Sequence, residues 1–303
     1  MLTLTVAGML ATALVPQQAG FQTDTTFPVP AGTRLSLMNM QGDVVVRTWD
    51  RNQVQVKADH SSRTTIGVEL SGAVLRLVPQ GRGMTVPGGL VDYELTVPAT
   101  MAIEIGGLGG DVTIEGVRGP VSVNTIEGDI SLRGGSGDLS LVTISGGVRV
   151  EGARGGRLEV RAAAGDIEVT DVQADLALET VSGDIRLQGV DGRRVEAQAV
   201  SGGISFAGTI RADGSYILST HSGDVTMAIP EGTSAMIRAS IASGDLTSAF
   251  SLPEPEMHDV TGGRSRGTRK LIRLGGGGAS IELETFSGDV SLVRPGAVRP
   301  RDN

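Results

Sequence analysis

The dipeptide Gly-Asp recurs along this chain more often than its composition explains. It occurs nine times, whereas 45 Gly and 19 Asp distributed at random over 303 residues would produce it about three times. Most of these pairs precede a short run in which apolar and polar residues alternate, as in TVSGDIRL from Thr180 to Leu187. Such self-similarity is typical of repeat architectures, in which each unit packs on its neighbours.

The spacing of the repeat predicts the fold class. Glycines recur every 18 to 21 residues, at positions 110, 128, 146, 165, 183, 202, 223 and 244. Turn-forming residues divide each period into two units of nine to ten residues, each a short strand followed by a turn. A two-strand unit cannot bury its apolar side chains alone, so the units must stack. The sequence therefore predicts an all-β protein, a β-solenoid or β-helix-like stack of two-strand coils of about 18–21 residues.

Stacked coils place equivalent apolar residues one above another inside the solenoid. The residues predicted to form one such interior ladder are Ile130, Ile167, Ile185, Ile204 and Val225. By the same alternation, Arg186 is expected to face solvent.

The Gly-Asp pairs are predicted to be structural turn residues rather than ligands. Gly tolerates positive φ, and an Asp carboxylate accepts hydrogen bonds from backbone N–H groups at a corner. The predicted turn residues are Gly110, Asp111, Gly128, Asp129, Gly137, Asp138, Gly165, Asp166, Gly183, Asp184, Gly223, Asp224, Gly244, Asp245, Gly288 and Asp289.

Calcium binding is the functional alternative for these residues. GGSGDLSL, from Gly134 to Leu141, approaches the GGxGxDxUx repeat that binds Ca²⁺. However, Asp138 directly follows Gly137, and one carboxylate per corner supplies too few oxygens for a cation that takes six to eight. We therefore predict no metal and no cofactor.

No catalytic residues are predicted. The three histidines, His60, His221 and His258, have no second histidine at metal-ligand spacing. His221, Ser222 and Asp224 are too close in sequence to assemble a catalytic triad. A β-helix lyase or glycosidase needs two carboxyl groups at a fixed separation, and the sequence singles out no such pair.

The ends of the chain differ from its repetitive middle. Residues 1–20 hold an uncharged apolar stretch followed by polar residues and are predicted to be a signal peptide. Residues 21–105 are predicted to form an N-terminal β cap, 106–294 the repeat β-solenoid, and 295–303 a disordered tail. No segment of the mature chain is expected to cross a membrane.

A basic, glycine-rich excursion interrupts the repeat at about 250–278. Its cations are predicted to lie on a loop that could bind an anionic partner: Arg264, Arg266, Arg269, Lys270 and Arg273. The whole chain, by contrast, has a net charge of −8, which argues against nucleic acid as the partner. It contains no cysteine, so disulfides and thiolate sites are excluded.

The order of these segments resembles that of a known family. FPVPAGTRLSLMNMQGDVVVRTWDRNQVQVKA, then YELTVPATMAIEIGGLGGDVTIEGVRGPVSVNTIEGDI, then serial TVSGDI units and GGGASIELETFSGDVSL are similar to the bacterial "putative adhesin" family of unknown function, related to head-GIN adhesin domains. The resemblance implies a β-solenoid in an envelope or extracellular setting and carries over no catalytic residues.

These observations predict a non-catalytic secreted or cell-envelope β-solenoid that acts as an adhesion, interaction or scaffold module, in the periplasm or outside the cell. Its expected partner is an envelope or surface protein or a polysaccharide. Two alternatives stay open at this point: a β-helix carbohydrate-active enzyme and an envelope-stress regulatory module.

Overall fold

The computed structural model describes residues 21–81, 89–250 and 268–296. In these ranges every regular secondary-structure element is a β-strand, and the 26 strands form two 13-stranded sheets. The buried apolar residues of both sheets join in one continuous core. The all-β solenoid prediction is confirmed.

One sheet, sheet A, contains mostly short strands. In hydrogen-bonding order they are β1 (Phe21–Pro28), β4 (Gln53–His60), β7 (Val91–Pro98), β3 (Val44–Trp49), β9 (Val112–Glu115), β11 (Ile130–Arg133), β13 (Val148–Glu151), β15 (Ile167–Thr170), β17 (Ile185–Val190), β19 (Ile204–Gly208), β21 (Val225–Ala228), β26 (Val290–Val293) and β23 (Leu246–Ser248).

The other sheet, sheet B, contains longer strands. In hydrogen-bonding order they are β24 (Thr268–Leu274), β22 (Ala235–Ser243), β25 (Ala279–Ser287), β20 (Ser215–Ser222), β18 (Arg194–Ser201), β16 (Gln173–Ser182), β14 (Arg154–Ala164), β12 (Leu139–Ser145), β10 (Val121–Glu127), β8 (Ala102–Gly109), β2 (Arg34–Gln41), β6 (Val74–Gly81) and β5 (Thr64–Ser71).

Each coil is one strand of sheet B, a tight corner, one strand of sheet A and a wider corner. Successive coils pair in parallel and in register, so that Ile167 is opposite Ile185 and Ile185 is opposite Ile204. The same interior row includes Ile130, which is opposite Val148, and Val225, which is opposite Ile204. The predicted interior ladder is therefore present.

Alternation along each strand produces the core. In β11 and β15, the first and third residues are buried and the second is partly exposed. The inward residues are mainly Val, Ile and Leu, whose branched side chains suit a pleated surface. Each fully buried one contributes roughly 1.5–3 kcal/mol to folding.

The N-terminal end of the stack is covered by antiparallel strands. β4 pairs antiparallel with β1 and β7, and β5 pairs antiparallel with β6. These strands lie within the residues predicted as the cap. β2 and β3 lie there too, but they form a coil that stacks in parallel on β8 and β9.

The last coils do not stack in sequence order. β25 pairs on one side with β20 and on the other with β22, and β26 lies between β21 and β23 in the same way. The coil formed by β25 and β26 is thus inserted between two coils that precede it in sequence. The spacing of the repeat gave no indication of this exchange.

The basic excursion is only partly a loop. Arg264 and Arg266 lie outside the described residues. Arg269, Lys270 and Arg273 lie on β24, which pairs antiparallel with β22, and this corrects their assignment to a loop. Ile272 is buried opposite Ile237, between the exposed Leu271 and Arg273, and this packing anchors the strand on β22.

Other predicted segments fall outside the described ranges. These are the signal peptide, residues 1–20, and residues 297–303 of the predicted tail. In the part of the chain that the structure describes, no helix has the length and apolar character needed to span a bilayer.

Substitutions at inward and outward positions of the stack should differ strongly in their effect on the free energy of unfolding. We expect Ile185→Ala to lower the free energy of unfolding by about 2–5 kcal/mol, because Ile185 is fully buried between coils. Ser205→Ala, at the outward position of the next rung, should change it by less than about 0.5 kcal/mol. Urea unfolding of both variants measures the difference, and equal losses would contradict the in-register stack.

Candidate interaction surface at the tight corners

The tight corners of successive coils are in direct backbone contact. In the described ranges, ten corner glycines all have φ between 109° and 149°: Gly42, Gly110, Gly128, Gly146, Gly165, Gly183, Gly202, Gly223, Gly244 and Gly288. A Cβ added at Gly183 would lie less than 3.0 Å from the carbonyl oxygen of Gly165. The same overlap, with the corner glycine of the neighbouring coil, recurs at all but Gly42. Glycine is therefore required both by its conformation and by the close approach of the coils.

The residues after these glycines form a ladder of hydrogen bonds. The backbone N–H of Asp129 donates to Oδ1 of Asp111 at 2.8 Å, and the N–H of Asp184 donates to Oδ1 of Asp166 at 2.8 Å. We call this row the Asp ladder; its members are Asp43, Asp111, Asp129, Asp166, Asp184, Asp224, Asp289 and Asp245. Each rung satisfies a backbone donor that a turn leaves unpaired within its own coil.

Two glycines divide the Asp ladder into three runs. Gly147 and Gly203 stand where the other corners have Asp; each donates its N–H to the preceding carboxylate, at 2.7 and 2.8 Å, but offers no acceptor in return. Neither has a positive φ in the left-handed region. At these two corners, therefore, neither the backbone conformation nor a close contact requires glycine.

One predicted pair lies at the other side of the stack. Gly137 and Asp138 belong to a wider corner, between β11 and β12, and Gly137 does not have positive φ. A Cβ on Gly137 would overlap the backbone of Gly119. Oδ1 of Asp138 accepts the N–H of Arg157 at 3.1 Å. The chemistry is similar, but this pair is not part of the Asp ladder.

Arg186 neutralises part of the Asp ladder. Its guanidinium donates to Oδ2 of Asp166 and to Oδ2 of Asp184, both at 2.7 Å. Burial would raise the pKa of Asp166, but the hydrogen bonds from Arg186 and from the Asp184 N–H, with the charge of Arg186, outweigh burial and lower it. Alternation predicted only that Arg186 faces solvent; it also pairs with two aspartates of the Asp ladder.

The other aspartates of the Asp ladder are not paired with Arg186. Among the ion pairs within the described ranges, none involves Asp111, Asp129, Asp224 or Asp289. In the same ranges, no three His, Asp or Glu side chains are grouped so that they could hold a metal ion. The ladder is therefore an acidic row whose Oδ1 atoms bind the backbone.

Buried threonines fix the strand that leads into several of the tight corners. Thr180 donates to the carbonyl of Gly165 at 3.2 Å, and Thr220 donates to the carbonyl of Gly202 at 2.9 Å. Thr285 bonds the carbonyl of Gly223 in the same way. Because this threonine points inward three residues before the corner glycine, the residue after it points outward.

That outward residue is apolar in most coils, which sequence reasoning missed. Six large side chains at this position are between 42% and 58% exposed: Leu108, Ile126, Ile144, Val181, Val200 and Phe286. Ala163, His221 and Ala242 occupy it in the remaining coils between β8 and β22. The ring of His221 stacks on Phe286, with centroids 4.7 Å apart. We call this row the apolar ladder. Its sequence signal, an apolar residue before Ser-Gly-Asp, was present in TVSGDI.

A shallow groove lies at the opposite end of the same strands. Its volume is about 540 Å³, and its charged and polar lining includes Arg34, Glu104, Ser122, Asp138 and Arg157. The small outward residues of β10 and β12 form its floor. The groove contains no aromatic side chain, so it lacks the stacking platform of many sugar sites.

Comparisons with known proteins identify one family and several solved structures to which this chain is similar. A family model described as Toastrack DUF4097 matches residues 32–293. A "putative lipid binding protein" of Parabacteroides distasonis is 12% identical, with a TM-score of 0.50, and the match covers 91% of this chain and 97% of that one. A "putative adhesin" of Bacteroides fragilis is 13% identical, with a TM-score of 0.46 and coverage of 90% and 97%. No curated protein matches the chain by sequence.

The corner geometry predicts different tolerances for two glycines. Gly183→Ala should lower the free energy of unfolding by about 1–3 kcal/mol, because alanine would be forced into positive φ against the Gly165 carbonyl. Gly203→Ala should be nearly neutral, since its Cβ would make only an ordinary contact, 3.4 Å from the Asp224 oxygen. Thermal or urea unfolding checks the order, and a greater loss at Gly203 would contradict the close-contact explanation.

The ion pair of Asp166 predicts a pH dependence. The pKa of Asp166 is below its ordinary 3.8 in the folded chain, so its stabilisation is complete above that value and is lost as pH falls through the folded pKa. Asp166→Asn keeps the Oδ1 acceptor and loses the charge. We expect it to cost less than about 1 kcal/mol near neutral pH, because the pair is exposed. The cost should shrink in acid and should be smaller in an Arg186→Gln background, where only the Asp184 N–H still favours the charged carboxylate; an undiminished cost there would contradict the pairing.

Proposed function

Since the chain belongs to the Toastrack DUF4097 family, we propose that it is a non-catalytic interaction module of the cell envelope, exported to the periplasm or the cell exterior. The contact surface is the outer face of sheet B beside the tight corners, where the apolar ladder lies. The export part of the proposal rests on the apolar stretch in residues 1–20.

The apolar ladder is the observation that supports this function most. On the same strands, the outward position two residues earlier is polar in most coils and apolar on β12; it holds Gly106, Asn124, Val142, Arg161, Glu179, Gln198, Ser219, Ser240 and Glu284. A solvated sheet face has no need of apolar side chains at one position in coil after coil. Contiguous exposed apolar surface on a soluble domain is typical of an interaction site.

The fold also suits a binding surface that does not rearrange. The rungs of the ladder are held by parallel pairing on both sides and by corners whose backbones touch. A partner would therefore meet side chains already in place and would lose little entropy in ordering the loops that carry them.

The arrangement of carboxylates favours binding over glycan cleavage. A glycosidase uses two carboxyl groups that face each other across a bound sugar. Here the Asp ladder is a single row along one edge, and most of its Oδ1 atoms accept backbone hydrogen bonds. A regulatory module that binds a membrane protein would use the same apolar ladder as an adhesion module.

Site-specific photo-cross-linking tests the proposal. A benzophenone amino acid would replace Ile144 or Val200 in the apolar ladder, or Ser131 or Ser205 on the outer face of sheet A as matched controls. With the protein expressed in its own cells and irradiated, we expect discrete adducts from the two ladder positions and none from the controls. Adducts from neither surface, or equally from both, would contradict the proposal.

A further inference from the structure

We propose that the apolar ladder binds a cationic amphipathic α-helix of a partner protein. This inference rests on the proposed function and specifies the chemistry of the partner. Its basis is the combination of a row of exposed, mostly apolar side chains with acidic side chains on both flanks.

The apolar ladder has the dimensions of a helix-binding site. From Leu108 on β8 to Phe286 on β25 it crosses eight neighbouring strands of sheet B, and therefore seven strand intervals. At about 4.8 Å per interval it is about 34 Å long. A helix of about 22 residues covers that length at 1.5 Å per residue. One turn of helix advances about 5.4 Å, so apolar side chains on one helix face meet the rungs at nearly equal spacing.

One flank of the apolar ladder is the Asp ladder. In several coils the corner aspartate follows the exposed apolar residue by three positions, as Asp129 follows Ile126 and Asp289 follows Phe286. Arg186 forms ion pairs with two of these carboxylates. Others, such as Asp129, have no basic partner within the described ranges. The tight-corner flank is therefore most negative toward its two ends, at Asp111 and Asp129 and at Asp224 and Asp289, and less so between Gly147 and Gly203.

The other flank is also acidic. Glu179 and Glu284 are exposed at the outward position beside the apolar ladder, and the next outward position holds Glu104, Glu159, Glu196 and Glu282; Glu127, next to Ile126, lies on the tight-corner side. Arg161 is the cation of this flank, and its charge is matched by ion pairs with Glu159 and Glu179. Lysines and arginines on both sides of an apolar helix face would meet these carboxylates.

The same charges disfavour a membrane surface. Anionic lipid head groups would lie against both acidic flanks once the apolar ladder reached the acyl chains. An extended peptide also fits less well, because its side chains alternate between two faces and cannot place cations on both flanks of one apolar row. The helix satisfies the apolar row and both flanks together.

Binding of a synthetic helix to the purified mature protein tests the inference. The probe is a fluorescent 22-residue Leu/Lys peptide with leucine on one face and lysine on both flanks. The controls are a peptide of the same composition in scrambled order, a Leu/Glu peptide of the same pattern, and vesicles of phosphatidylglycerol or phosphatidylcholine. We expect binding of the amphipathic Leu/Lys peptide alone, weakened by salt.

Two sets of variants locate the contact. The triple variant Ile144→Ser, Val181→Ser and Val200→Ser should weaken binding at least tenfold, with unchanged circular dichroism and melting temperature because these side chains are exposed. Glu127→Gln with Glu284→Gln should weaken it several-fold and reduce its salt dependence. Thr113→Ser with Thr226→Ser, on the outer face of sheet A, should have no effect.

The outcomes separate this inference from the proposed function. Binding of the scrambled or Leu/Glu peptide with equal affinity, preference for vesicles, or full binding by the triple serine variant overturns the helix proposal. If cross-links form at Ile144 while the Leu/Lys peptide does not bind, the interaction surface stands and the helical partner is overturned. Absence of both overturns the two together.

Discussion

The contact between corner glycines is the constraint on which the rest of the structure depends. Two coils can pair in parallel over both sheets only if their tight corners approach to the same distance as their strands. At that separation the carbonyl of one corner fills the space that a Cβ of the next would need, as at Gly165 and Gly183. The glycine fixes the register, and the register then aligns every other row: the interior isoleucines, the buried threonines and the Asp ladder.

Alignment turns small sequence preferences into continuous surfaces. A single exposed valine is ordinary on a protein surface. Because every coil repeats the same frame, an exposed apolar residue in most coils becomes a row tens of ångströms long, and an aspartate at most corners becomes an acidic strip beside it. The interaction chemistry proposed here is thus a property of the stack and is absent from any one coil.

The sequence was sufficient for the features that each coil carries by itself. The period of 18 to 21 residues, the alternation around Ile185 and the turn chemistry of Gly-Asp are local, and local patterning determines them. The order of the last coils could not be predicted in this way. Gly223, Gly244 and Gly288 all carry the same corner chemistry, so the repeat alone does not say which corner stacks on which.

Two surface features escaped prediction for a related reason. The Arg269, Lys270 and Arg273 segment looked like a loop because its strand partner, β22, lies in a different coil. The exposed position of Val181 depends on Thr180 pointing inward to the carbonyl of Gly165, which is a contact between coils. Both are set by the neighbouring coil and not by the segment's own periodicity.

The exchanged order of the last coils has a consequence for synthesis of the chain. Coils up to β20–β21 can add one by one as the polypeptide emerges, since each finds its partner already folded. The coil of β22 and β23 cannot, because the strands on which it packs, β25 and β26, have not yet been made. The coil of β22 and β23 stays unpaired with the stack until residues 279–293 have been inserted beside it. The array therefore assembles from its N-terminal end for most of its length and is completed by a long-range step at its C-terminal end.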